Sequence, residues 1–195
     1  MRNLAAIIGF VAAVSLAAQW QVSEGLMAGA SPLAVVWRML GYFTVLGNLA
    51  TAVVMAKTAW TGRITPNIAG LMVVVMVIVG LGYHFLLAGI WQPAGLAWWA
   101  DQGLHTAVPI LVVLWWVGYA PKSGLQLRDA VSWLLWPIIY TGYAVIRGLT
   151  SGFYPYPFID LSVLGLAQSL TNLGLLAATF LALGLAVIGV ARVIR

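Results

Sequence analysis

Six long apolar stretches constrain this chain more than any other feature of it. They cover residues 3–22, 36–56, 67–90, 101–118, 129–147 and 163–191, and each comes close to the ~20 residues a helix needs to cross a bilayer. With 63% hydrophobic and only 7% charged residues among 195, nothing is left over for a soluble domain. The expected fold is therefore an all-α polytopic membrane protein: six transmembrane helices in one bundle, forming a single domain over residues 1–195. Cysteine is absent, which excludes disulfides, thiolate metal sites and cysteine nucleophiles.

A net charge of +5 invites a nucleic-acid reading, but the distribution of the cations argues for topology instead. Arg2, Lys57, Arg63, Lys122, Arg128, Arg192 and Arg195 fall at the termini and in the second and fourth connections, seven of the nine Lys and Arg residues. That bias predicts cytoplasmic termini, with Glu24, Asp101 and Asp160 on the opposite side. Ser15-Leu16-Ala17 resembles a signal-peptidase site, but the apolar run continues to Val22 and the charge bias fits an even number of spans, so the first stretch is read as a span. Trp91, Trp98 and Trp99 on one side and Trp60 on the other are expected in the interfacial belts.

Once the stretches are threaded alternately, the polar residues inside them gather in one half of the bilayer, the extracytoplasmic half. Arg38, Tyr42, Thr44 and Asn48 come from the second stretch, and His84 from the third. Asp101, Gln102, His105 and Thr106 come from the fourth, Arg147 from the fifth, and Gln168 and Asn172 from the sixth. Polar and ionisable groups within a membrane are costly, so a shared depth points to a buried polar site. At ~1.5 Å of rise per residue, Thr44 is expected roughly 12 Å in, His84 roughly 9 Å, Gln168 about 8 Å and His105 about 6 Å.

Spacing adds detail. Thr44, Asn48 and Thr51 share one helix face, and Arg38 with Tyr42 is expected to form another i, i+4 pair. Asp101 and His105 are also four apart, so the carboxylate can orient the imidazole. Pro109 lacks the N–H that would bond the His105 carbonyl and is expected to kink the helix beside the histidine. The connection containing GFYPYPFID holds two prolines and four aromatics, suited to an interfacial belt or a cap over a pocket.

Each element also has a plain structural reading. A helical threonine commonly bonds the carbonyl four residues back, here Leu40. His105 with Asp101 can be interhelical glue, His84 a packed core residue, and Arg38 and Arg147 can snorkel to headgroups. There is no metal-ligand spacing, phosphate loop or nucleophile elbow. Two histidines at similar depth suit axial haem ligation, and they equally suit general-base activation of a hydroxyl nucleophile. Transport is disfavoured by the lack of inverted repeats and of helix breaks beyond Pro109 and Pro137. A structural membrane protein without catalysis is the remaining alternative.

Taken together, YFTVLGN with Tyr42 and Thr44, GYHFLLAG with His84, DQGLHTAVP with Asp101 and His105, and GFYPYPFID before the last helix resemble the androgen-induced gene 1 family of six-pass membrane proteins, most closely its bacterial branch. The likeness extends over essentially the whole chain. Animal members hydrolyse fatty acid esters of hydroxy fatty acids with a threonine and a histidine. The resemblance therefore implies a lipid ester hydrolase of the bacterial inner membrane with Thr44 as nucleophile and His105 as base, and with no cofactor or metal. Its partners would be membrane lipids and the ester substrate. Asp101 stands where animal members carry a neutral polar residue. Around this pair, Asp101 is expected to orient His105, and Asn48 or His84 to donate to the oxyanion. Arg38 or Arg147 would hold a substrate carboxylate, with Tyr42, Gln168 and Asn172 also lining the substrate site.

Overall fold

The computed structural model describes residues 1–90 and 92–194; Trp91 and Arg195, assigned above to a belt and to the cationic side, lie outside the described residues. The described chain is all-helical, without strands. Five of its helical segments are long and apolar enough to cross a membrane, or up to six if one bent pair counts as a single span, and they mark the chain as a membrane protein. Large apolar side chains such as Phe10, Val53, Phe85 and Leu149 point outward on these helices. That exposure is a liability in water and the normal surface of a helix in lipid.

The chain divides into two compact units, Met1–Ser123 and Gly124–Arg195. The first contains α1 (Arg2–Leu26), α2 (Pro32–Met39), α3 (Phe43–Thr61), α4 (Pro66–Gly82), α5 (Leu96–Gln102) and α6 (Val108–Tyr119). Local sequence explains the helix starts. Ser31 accepts a hydrogen bond from the Ala34 N–H ahead of Pro32, and Thr65 does the same for Ile68 ahead of Pro66. Each side-chain cap is worth ~1 kcal/mol, and proline at the first helical position loses no bond. Ala5, Ile8, Met55, Val74, Met76, Val112 and Trp115 are fully buried in this unit.

Two features depart from uniform helices. The second apolar stretch is not one straight span: α2 and α3 meet at 95°, because Tyr42 takes an extended conformation (φ −92°, ψ 131°) as the N-cap of α3. The expected Arg38–Tyr42 pair on one helix face is therefore corrected, since the two residues lie on either side of the bend. The same bend invalidates counting the depth of Thr44 from residue 36. It is also a helix break that the sequence reading did not anticipate.

The second departure is a pair of π-helical turns. Tyr83–Leu87 continues α4, and Gly103–Ala107 joins α5 to α6. Just before Pro109, the Val108 N–H reaches back five residues to the Gly103 carbonyl, so the ladder loosens there. Gly103 is also where α1 comes closest, since a Cβ there would collide with the Ser15 side chain.

The second unit contains α7 (Leu127–Trp133), α8 (Leu135–Ser151) and α9 (Leu161–Val193). Gln126 and Asp129 form a reciprocal capping box at the start of α7. Pro137 has no N–H for the Trp133 carbonyl, and the break between α7 and α8 falls at that point. α9 is interrupted at Gly165, whose φ of 72° and ψ of 167° only glycine adopts readily. Between α8 and α9, the Tyr154 ring sits against Gly148, and Tyr156 stacks on Phe158 with centroids 5.1 Å apart.

The tryptophans divide by burial. Trp60, Trp98 and Trp99 are exposed, whereas Trp115, Trp116 and Trp133 belong to the buried interior.

Candidate functional site

Thr44 occupies the first turn of α3, immediately after the bend, and is 8% exposed. Leu40, four residues back, lies in the bend and outside α3. The Thr44 Oγ1 meets Nε2 of His105 at 3.2 Å. His105 comes from the middle of the second π turn, and it is partly buried.

On its other side, His105 Nδ1 faces two oxygens of Asp101, the backbone carbonyl at 3.1 Å and carboxylate Oδ1 at 3.2 Å. Both are acceptors, so the proton belongs on Nδ1, and Nε2 is left as the acceptor for the Thr44 hydroxyl. The expected i, i+4 pairing of Asp101 and His105 is present, and Asp101 is 5% exposed. Its second carboxylate oxygen, Oδ2, is buried without a hydrogen-bond partner.

Asn48, one turn along α3 and fully buried, donates one amide hydrogen to the Thr44 carbonyl at 2.9 Å and the other to the Leu104 carbonyl at 3.1 Å. Both of its donors are thus engaged with backbone carbonyls. It works as a clamp, tying the backbone under the threonine to the backbone beside the histidine. Thr51 completes the predicted buried face of α3 and reaches Met72 Sδ at 4.0 Å.

Tyr83 is the residue that the sequence reading left out of the site. It opens the first π turn, is 6% exposed, and stacks on the His105 imidazole with centroids 4.2 Å apart and planes 18° from parallel. No spacing rule links residues 83 and 105; the only trace in the sequence is an aromatic beside His84.

His84 is exposed, and its Nε2 lies 3.1 Å from Thr106 Oγ1, which in turn donates to Gln102 Oε1 at 3.0 Å. Its Nε2 is thus engaged at Thr106, not at Thr44. The two imidazoles also do not present nitrogens to a shared gap of the kind an axial haem pair needs. His105 Nε2 faces Thr44, His84 Nε2 faces Thr106, and the Tyr83 ring lies against both. Among the described residues, no group of three or more metal-ligating side chains gathers.

Of the expected substrate residues, Arg38 is in the last turn of α2 and exposed, and Tyr42 packs on a cluster of Val35, Met39 and Val45. Arg147, Gln168 and Asn172 belong to the second unit. There the buried Arg147 donates to the Tyr143 hydroxyl at 3.0 Å and lies over the Phe153 ring at 4.9 Å. Gln168 donates to Asn172, and Asn172 to the Phe158 carbonyl, both at 2.9 Å. This last contact joins α9 to the aromatic connection before it.

No family model, curated protein or solved structure matches the chain.

Proposed function

We propose that the protein is an intramembrane hydrolase of lipid carboxylic esters in which Thr44 is the nucleophile, His105 the general base and Asp101 the residue that orients the base. The observation that carries this reading is the continuous relay from Thr44 Oγ1 through His105 Nε2 and Nδ1 to Asp101, drawn from two separate helices within one unit. A hydroxyl, a neutral imidazole and a carboxylate in that order form the constellation that activates serine in soluble hydrolases, and it is recognised by geometry and roles, not by fold.

The chemistry follows from the tautomer. Nε2 takes the Thr44 hydroxyl proton as Oγ1 bonds to the ester carbonyl carbon, and the imidazolium then gives that proton to the departing alkoxide as the ester C–O bond breaks. The product alcohol leaves, and an acyl ester remains on Thr44. Water then loses a proton to Nε2 and attacks the acyl carbon; Oγ1 is expelled and recovers its proton from His105, and a fatty acid is released. Thr44 stands at the positive end of α3, where the helix dipole favours the negative charge that develops during attack. Arg38, exposed beside the bend, is a cation suited to a substrate carboxylate at headgroup level. Fatty acid esters of hydroxy fatty acids, the substrates implied by the family resemblance, carry such a carboxylate. The reading includes cytoplasmic termini and a bacterial inner-membrane location, which rest on the cation bias and on that resemblance.

The test is to treat purified protein in detergent with an alkyl fluorophosphonate probe and, separately, with a fatty acid ester of a hydroxy fatty acid. Labelling and hydrolysis that both disappear in Thr44→Ala are the expected result. Labelling that persists in that variant removes Thr44 as the nucleophile.

A further inference from the structure

We infer that Tyr83 is a positioning residue: its ring, supplied by a different span from His105, holds the imidazole in the plane that presents Nε2 to Thr44. The Asp101 contacts alone do not fix that plane. Both converge on Nδ1, and a ring held through one nitrogen remains free to tilt about that attachment. Tilting of this kind swings Nε2 sideways. A flat aromatic face 4.2 Å away and 18° from parallel blocks it, and offset stacking is among the favoured arrangements of such pairs.

Two further observations indicate that the contact is built and not incidental. Tyr83 is buried although it flanks the exposed His84. Tyr83 and His105 also each lie in a π turn. A π turn holds one residue more than the α-helical turn it replaces, so side chains beyond it are re-aimed by about 100° relative to an uninterrupted helix. Two such turns face each other here, and the backbones come close just before the first: a Cβ on Gly80 would touch the His105 carbonyl at 3.4 Å.

This inference depends on the hydrolase reading only where turnover is measured. The chain has two histidines, so 15N-histidine-labelled protein in micelles gives two ring systems, which His84→Gln assigns. In the wild type, the His105 ring should have Nδ1 protonated and Nε2 bare, with its carbon-bound protons displaced upfield by the Tyr83 ring. Tyr83→Phe keeps the aromatic face and should retain both signatures. Tyr83→Leu should lose the upfield displacement and shift the Nε2 resonance downfield, toward that of a bare ring nitrogen that accepts no hydrogen bond. In the activity arm, it should lower kcat by about tenfold or more with KM within about twofold, the pattern of a misplaced base.

A wild-type His105 without the upfield displacement overturns the inference, and this readout remains decisive if the Leu variant does not fold. So does a Tyr83→Leu protein that keeps the wild-type Nε2 resonance, or a Tyr83→Phe protein that shifts it as completely as Leu. A wild type that hydrolyses no ester while the ring signals behave as expected removes the hydrolase reading and leaves the positioning role of Tyr83 standing.

Discussion

The Thr44 side chain differs from valine by one hydroxyl in place of a methyl group, which makes Thr44→Val a clean removal of the proposed nucleophile. Turnover should fall by about three orders of magnitude or more, as when the nucleophile of a hydrolytic triad is removed. The helical circular dichroism of the variant should be unchanged. Asp101→Asn is expected to behave more mildly than its counterpart in soluble triads, where loss of the tautomer costs ~10⁴ in kcat. The Asp101 backbone carbonyl also accepts from Nδ1 at 3.1 Å, so the Nδ1–H tautomer survives replacement of the carboxylate. The loss should be about tenfold to a hundredfold, measured as kcat at constant protein folding. A fall as large as that of Thr44→Val instead assigns the carboxylate the dominant share of the tautomer control.

Among the elements, the junction of α1 with the second π turn carries the sharpest packing prediction. A Cβ at position 103 would strike the Ser15 side chain, so Gly103→Ala should lower the thermal midpoint in detergent, consistent with the ~1–3 kcal/mol typical of overpacking. Adding Ser15→Gly should recover part of the loss, because it removes the atoms that clash. The elements also show what the sequence could and could not disclose. Apolar runs of spanning length are visible directly, and the four-residue spacing of Asp101 and His105 made their pairing readable because both lie on one helix. The bend before α3 was not visible: Gly41 and Tyr42 interrupt an otherwise apolar run, and hydropathy is insensitive to a change in backbone direction. The π turns escaped for a related reason. One extra residue per turn alters phase, not composition, so the Tyr83–His105 stack and the engagement of His84 with Thr106 had no signature in spacing. The burial of Asn48 on the Thr44 face was legible from spacing, but the carbonyls it donates to were not, since those are settled only by the backbone that surrounds it.

For the whole molecule, the first unit already contains a polarity. Arg2 donates through Nε and Nη2 to the carbonyls of Ala59 and Trp60, both at 2.8 Å, and so joins the amino terminus to the end of α3 near Lys57 and Arg63. Thr44 is at the opposite end of that helix, roughly 25 Å away by helical rise. If the cationic end faces the cytoplasm, a reporter active only in the cytoplasm should work when fused at the amino terminus, which Arg2 ties to that end, and one active only in the periplasm should not. The reverse pattern inverts the proposed orientation of the site.

The π turns have a consequence for how the gene tolerates change in length. Losing one residue from a transmembrane helix ordinarily rotates everything beyond it by about 100° and ruins its packing. A π turn already carries a surplus residue, so a single-codon deletion within 103–107 should close it into a regular α turn and leave α5 and α6 in their present phase. When the codon lost is that of Ala107, which spares Gly103 and His105, the shortened protein should fold with a near wild-type thermal midpoint yet hydrolyse nothing, because His105 no longer steps out toward Thr44. One missing codon would then separate the scaffold from the chemistry built on it.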